Sequence, residues 1–148
     1  MKWITHLSYI PDVAFKSARW SMWENSAGQC HFLARHLKES THVEAVSAAS
    51  GHEYTSEGAL LLGERALVLQ RMIQIYLRFL PEEDFVIAPR LVEKIPDGRA
   101  VGLGFTADEL RHGRDEYYRL AGFSTESGVP SPESLVRHGL GKVVVGRP

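Results

Sequence analysis

Apolar residues three and four positions apart dominate the chain, and strict alternation is scarce. Leu62, Ala66, Leu69, Ile73, Tyr76 and Leu80 recur at that spacing. They predict a long helix over about residues 55–80, with one apolar face and an end before Pro81. Trp20, Trp23, Ala27, Cys30, Ala34 and Leu37 step the same way and predict an earlier helix over about residues 12–38, provided it is continuous. Its weak point is Asn25-Ser26-Ala27-Gly28: Asn and Ser prefer caps, and an interior Gly costs about 1 kcal/mol relative to Ala. A break there turns the Gln29 and Cys30 backbone outward, whereas continuity makes Cys30 a small buried hydrophobe.

Helix punctuation is legible elsewhere. Thr106-Ala107-Asp108-Glu109 is a capping box, with Phe105 and Leu110 placed for a hydrophobic staple, and it opens a helix over about residues 106–121 that Gly122 stops. Ser131 as cap and Pro132 in the first turn open another helix that closes at Gly139, with Arg137 and His138 at its negative end. A third, short helix has the box Thr41-His42-Val43-Glu44 and stops at Gly51. Between residues 81 and 104 the period dissolves among Pro89, Pro96-Asp97-Gly98 and further glycines, which predicts a long irregular loop. Strand signals are confined to Phe85-Val86-Ile87 and Val143-Val144-Val145. The fold class is mostly α, in one domain over residues 1–148.

Composition narrows the function classes. At 148 residues, 44% hydrophobic and 24% charged, the chain can bury a core without staples. A net charge of -1 and the lack of any Lys/Arg run argue against nucleic acid and anionic membranes as partners. No apolar stretch spans a bilayer, and Met1-Lys2-Trp3-Ile4-Thr5-His6 lacks the apolar core of a secretory signal, so the expected compartment is the cytoplasm.

Several short motifs point to chemistry without carrying it. Gly102-Leu103-Gly104-Phe105-Thr106-Ala107 fits a loose dinucleotide pattern, but it follows a Pro-Asp-Gly turn rather than a buried strand. Seven histidines show no convergent spacing. His31 and His36, five apart, lie roughly 140° apart around a helix. With no Cys-x-x-Cys pair, a self-contained zinc site is not expected, and the histidines read as solvated or hydrogen-bonded surface groups. No nucleophile elbow occurs, and no residue is assigned a catalytic role. One cysteine, Cys30, excludes an internal disulfide.

Five separated stretches resemble, in order and spacing, the C-terminal helical region of tungstopterin aldehyde:ferredoxin oxidoreductases. Glu24-Asn25-Ser26-Ala27-Gly28-Gln29-Cys30 resembles the family's Asp/Asn-x-x-Gly-x-Cys segment. Ala49-Ser50-Gly51-His52-Glu53-Tyr54-Thr55 is similar to its Thr-Gly-Trp-Asp-x-Thr turn, and Gly63-Glu64-Arg65 to its Gly-Glu-Arg. Asp115-Glu116-Tyr117-Tyr118-Arg119-Leu120-Ala121-Gly122-Phe123 resembles Asp-Glu-Tyr-Tyr-x-x-Arg-Gly-Trp. Gly128-Val129-Pro130-Ser131-Pro132-Glu133-Ser134-Leu135 and His138-Gly139-Leu140 match the closing motifs. The resemblance covers about residues 17–140.

The resemblance implies a helical domain from an enzyme that oxidises aldehydes to carboxylates and passes electrons to ferredoxin through a [4Fe–4S] cluster beside a tungstopterin. It implies that Cys30 is the cluster's fourth ligand and that Asn25, Gly28 and Gln29 lie at the pterin. Many relatives carry Asp at the position of Asn25, which offers one acceptor oxygen where a carboxylate offers two, and Leu at that of Gln29. A cluster needs four thiolates and this chain has one, so no cofactor is expected in the isolated chain. The expected partner is a pterin- and cluster-binding oxidoreductase chain, or a second copy, with ferredoxin reached only through the assembled enzyme. The docking face is expected around Trp20, Trp23, Asn25, Gly28 and Cys30, unless the tryptophans are an ordinary core pair. The competing reading is a non-catalytic helical remnant or interaction module with Cys30 buried and inert.

Overall fold

A computed structural model describes residues 10–34, 36–78 and 81–142. Those residues hold six α-helices in order: α1 (Ile10–Ser26), α2 (His31–Ala34), α3 (Glu39–Ser50), α4 (Ser56–Tyr76), α5 (Ala107–Ala121) and α6 (Pro132–Arg137). Among the described residues the only β feature is an isolated antiparallel bridge between Phe123 and Pro130, so the mostly α class holds. Phe85 closes a 3-10 turn, Pro81–Phe85, instead of starting a strand, and residues 143–145 lie outside the described residues. No described helix is long and apolar enough to cross a membrane.

The helix ends follow local chemistry where a side chain can reach the backbone. The Thr106 hydroxyl accepts from the Glu109 N–H at 3.2 Å, and the Thr106 N–H donates to Glu109 Oε2 at 2.7 Å, completing the capping box. The Thr106 N–H, and after it the Thr106 hydroxyl donating to the same Oε2 at 2.9 Å, hold the Glu109 carboxyl below its ordinary range. Ser131 caps α6 by accepting from the Ser134 N–H at 3.1 Å. Thr55 caps α4 in the same way, through the Gly58 N–H at 3.0 Å. The start of α3 differs from expectation. It begins at Glu39, and the Lys38 carbonyl accepts from Thr41 and His42, so Thr41 lies inside the first turn and no side chain caps the helix.

α1 packs along α4 and also meets α5, while α3 rests against α4. The close approach is set at Gly63: an added Cβ there would lie 1.9 Å from the Arg19 carbonyl oxygen. Trp23, Val43 and Ala59 form one core cluster, and Val68, Met72 and Leu140 a second. The face of α4 that is buried is not the expected one. Ala59, Gly63, Glu64, Val68, Arg71 and Met72 turn inward. Leu62, Leu69, Ile73 and Tyr76 are 41%, 37%, 49% and 46% exposed. The reason is polar: Glu64 and Arg71 find partners inside, as described below. Leu80, expected to extend the apolar stripe, lies outside the described residues.

The irregular loop before α5 is built from 3-10 turns at Pro81–Phe85, Pro89–Leu91 and Gly98–Ala100. Its neck is closed by the Ile95 N–H donating to the Leu103 carbonyl and the Gly102 N–H to the Ile95 carbonyl, both at 2.8 Å. The glycine-rich segment before α5 is therefore a loop closure, with no strand feeding it.

Candidate functional site

The first long helix breaks at the weak point in its sequence. α1 stops at Ser26, and Gly28 takes the left-handed conformation at φ 70°. The Gly28 N–H then donates to the Asn25 carbonyl at 3.2 Å and the Gln29 N–H to the Glu24 carbonyl at 2.9 Å. This pair of bonds is a Schellman closure, which satisfies the last carbonyls of the helix and redirects the chain. Cys30 follows directly and is exposed, ahead of α2. The continuous-helix expectation, with Cys30 on a buried stripe, is thus corrected, and Leu37 is likewise exposed.

Two long-range contacts brace the turn on either side of Cys30. Before it, the Gln29 side-chain oxygen accepts from Nδ1 of His42 on α3 at 2.6 Å. After it, His31 Nδ1 lies 2.8 Å from Oε2 of Glu24, a carboxylate that is 2% exposed. His42 is buried and packs edge-on to Trp20 at 5.8 Å. Glu24, His31 and His42 went unassigned in the sequence because their partners are seven and thirteen residues away, and no local pattern links them. His42 and His138 are buried, a correction to the expectation of surface histidines.

The residues expected to bind cofactor lie together at this turn but differ in availability. Asn25 and Gly28 are exposed, and a Cβ at Gly28 would meet nothing within 4 Å, so the backbone there is open to a flat ligand. Gln29 has committed both its N–H and its side-chain oxygen to the protein. For a cluster, the donor set fits one corner. Cys30 offers one thiol, and no described group of three or more His, Cys, Asp or Glu could hold a metal ion.

The Gly63-Glu64-Arg65, Tyr118 and closing motifs converge at α4 as two polar knots. Glu64, 2% exposed, meets Arg19 Nη1 at 3.0 Å through Oε2, and His138 Nε2 at 3.2 Å and Arg137 Nη2 at 3.3 Å through Oε1. Arg71 Nε donates to the Gly128 carbonyl at 2.8 Å, and its Nη2 lies 2.5 Å from Asp84 Oδ2. The Tyr118 hydroxyl donates to the same Asp84 oxygen at 2.7 Å. Burial, and then that bond to Asp84, push the Tyr118 hydroxyl up to about 12. Trp23 is 3% exposed and edge-on to Tyr54 at 5.1 Å, so it belongs to the core, while Trp20 is half-buried.

A family model described as aldehyde ferredoxin oxidoreductase, domains 2 and 3, matches residues 4–140. The chain belongs to the aldehyde ferredoxin oxidoreductase family. The tungsten-containing aldehyde ferredoxin oxidoreductase of Pyrococcus furiosus is 27% identical over 117 residues, covering 78% of this chain and 19% of the relative. The protein of the same description from Pyrococcus abyssi is 26% identical over 117 residues, with the same coverage. The chain spans about a fifth of the length of these curated relatives. No solved structure matches. For a member of this family, the motifs divide in two. Gly63-Glu64, the Tyr118 stretch and the closing Gly128 and His138 stretches build the fold, and the Cys30 turn and most of the Ala49 to Thr55 stretch are exposed.

Proposed function

We propose that this chain serves as the C-terminal part of an aldehyde:ferredoxin oxidoreductase-like enzyme, supplying Cys30 as one ligand of a [4Fe–4S] cluster. The reaction it joins is aldehyde oxidation to carboxylate, with electrons leaving toward ferredoxin. The observation that carries the reading is the exposed Cys30 on a turn braced from both sides, in a chain of this family. An iron–sulfur cluster, when bound, supplies one-electron transfer. Within this chain, Cys30 Sγ would take one iron, and the Schellman closure at Gly28 keeps the thiol off the α1 axis and facing outward. Asn25 and the open backbone over Gly28 would lie against the pterin. The committed oxygen of Gln29 leaves that residue to shape the turn rather than to recognise the ring.

The remaining three thiolates and the pterin site belong to a domain or chain outside this one. The apolar stripe Leu62, Leu69, Ile73 and Tyr76 supports such a partner, because a helix face of that composition is ordinarily covered. The competing reading, a non-catalytic remnant or interaction module with Cys30 buried and inert, is less supported, because Cys30 is exposed.

Co-expression with a chain carrying the pterin domain and three spaced cysteines, followed by iron, sulfide and EPR analysis, tests the proposal. The expected outcome is a cluster in the complex, its loss in Cys30→Ala, and no cluster in the isolated chain after anaerobic reconstitution. A stoichiometric cluster in the isolated monomer, or an undiminished cluster in the Cys30→Ala complex, would overturn it.

A further inference from the structure

We propose that Glu24 is the positioning residue of the Cys30 turn: its buried carboxylate holds His31, and through it the chain on the far side of Cys30, in one orientation. The inference rests on reading Cys30 as a metal ligand and adds which residues aim its thiol.

Glu24 grips the turn twice. Its backbone carbonyl accepts from the Gln29 N–H at 2.9 Å, immediately before Cys30, and its Oε2 lies 2.8 Å from His31 Nδ1, immediately after it. The backbone bond alone is enough to make such a turn. The same closure forms at Gly122, where Gly122 and Phe123 donate to Arg119 and Tyr118, and at Gly139, where Gly139 and Leu140 donate to Val136 and Leu135. The residue that occupies Glu24's place in those turns is Tyr118 or Leu135, and neither carries a carboxylate. A carboxylate that is 2% exposed is costly to bury, and its Oε2 meets a histidine side chain that is itself 50% exposed. Stability of the fold does not call for that arrangement, since an apolar side chain would fill the same space at less cost. What the carboxylate adds is a fixed point beyond Cys30. His42, donating to the Gln29 side chain at 2.6 Å, supplies the fixed point ahead of it. Groups that orient a ligand from behind govern how well a metal is held, and their loss typically weakens metal affinity about 10–100-fold.

Cys30 is the chain's single cysteine, so a nitroxide label placed on it reports this turn without further engineering. EPR line shapes of the labelled full chain are compared among wild type, Glu24→Leu, His31→Ala and Glu24→Gln, with thermal melts alongside. Glu24→Leu and His31→Ala are expected to speed label rotation several-fold. Glu24→Gln, which keeps an acceptor oxygen for His31, is expected to restore the wild-type line shape. His31→Ala sits at a half-exposed position and decides the matter even where Glu24→Leu fails to fold. An unchanged line shape in folded His31→Ala, or a Glu24→Gln label as loose as in Glu24→Leu, would overturn the positioning role. Failure of the ligand reading appears elsewhere, as cluster retention in the Cys30→Ala complex, and leaves these line shapes untouched.

Discussion

Glycine works in two physically distinct ways in this chain, and the difference is testable residue by residue. At Gly28 the surroundings are empty but φ is 70°, a conformation that resists any Cβ. Gly28→Ala is expected to cost about 1–2 kcal/mol, paid in backbone strain at the Cys30 turn. At Gly63 the backbone is ordinary, and the obstacle is the neighbouring helix, with a Cβ 1.9 Å from the Arg19 carbonyl oxygen. That contact is backbone against backbone, so no rotamer change relieves it. Gly63→Ala is expected to force α1 off α4 and to cost about 3 kcal/mol or more, beyond ordinary overpacking. Urea unfolding followed by circular dichroism separates the two. A Gly63→Ala midpoint no lower than that of Gly28→Ala would contradict the close crossing.

At the level of elements, the polar knot at Arg71 ties the loop before α5 and the segment before α6 to α4, and it makes stability depend on alkaline pH. Tyr118 ionises at 10.0 when unperturbed and at about 12 in the fold. The folded state therefore holds a proton that the unfolded chain releases. The stabilisation is full below pH 10, falls as pH rises through that window, and is gone above the folded value. Tyr118→Phe is expected to flatten the decline of the melting temperature across this window, and a tyrosinate absorbance titration should lose a late-ionising residue. An equally steep decline in the variant would place the effect elsewhere. This knot also marks where the sequence stops being legible. Thr106, Ser131, Gly122 and Gly139 announced their helix ends because each acts within a few residues, and the weak interior at residues 25–28 announced the break. The inward face of α4 did not show, because its direction is set by Glu64 and Arg71 reaching Arg19, His138, Asp84 and Gly128 across the chain. Apolar periodicity located the helix and pointed to its wrong side. The Cys30 turn was readable as a departure from helix, whereas Glu24 and His42, which hold it, became visible only in three dimensions.

For the whole molecule, the consequence of that reversal is a face left uncovered. Leu62, Leu69, Ile73 and Tyr76 run along the outside of α4, and at one end they meet a groove of about 320 Å³ lined by Trp23, Ser26, Ala27 and Val46. Ser26 and Ala27 belong to the last turn before Cys30, so the apolar face and the Cys30 turn are continuous. A partner that reaches Cys30 is therefore expected to cover α4 as well. Trp23 is a poor probe of that contact. It is sealed in the core, and Trp23→Ala is expected to cost about 3–5 kcal/mol of folding stability. Ile73, 49% exposed, is the better one. Ile73→Glu is expected to change folding stability by no more than about 0.5 kcal/mol, as surface substitutions do. Against the co-expressed oxidoreductase chain it should lose about 2 kcal/mol of binding, roughly thirty-fold in Kd, as when a central apolar anchor is removed. Urea unfolding reads the first quantity, and light scattering after size exclusion, with titration of the partner, reads the second. Binding by Ile73→Glu as tight as wild type, together with a strictly monomeric free chain, would mean that α4 faces solvent in the assembly and that contact is made through the Cys30 turn alone.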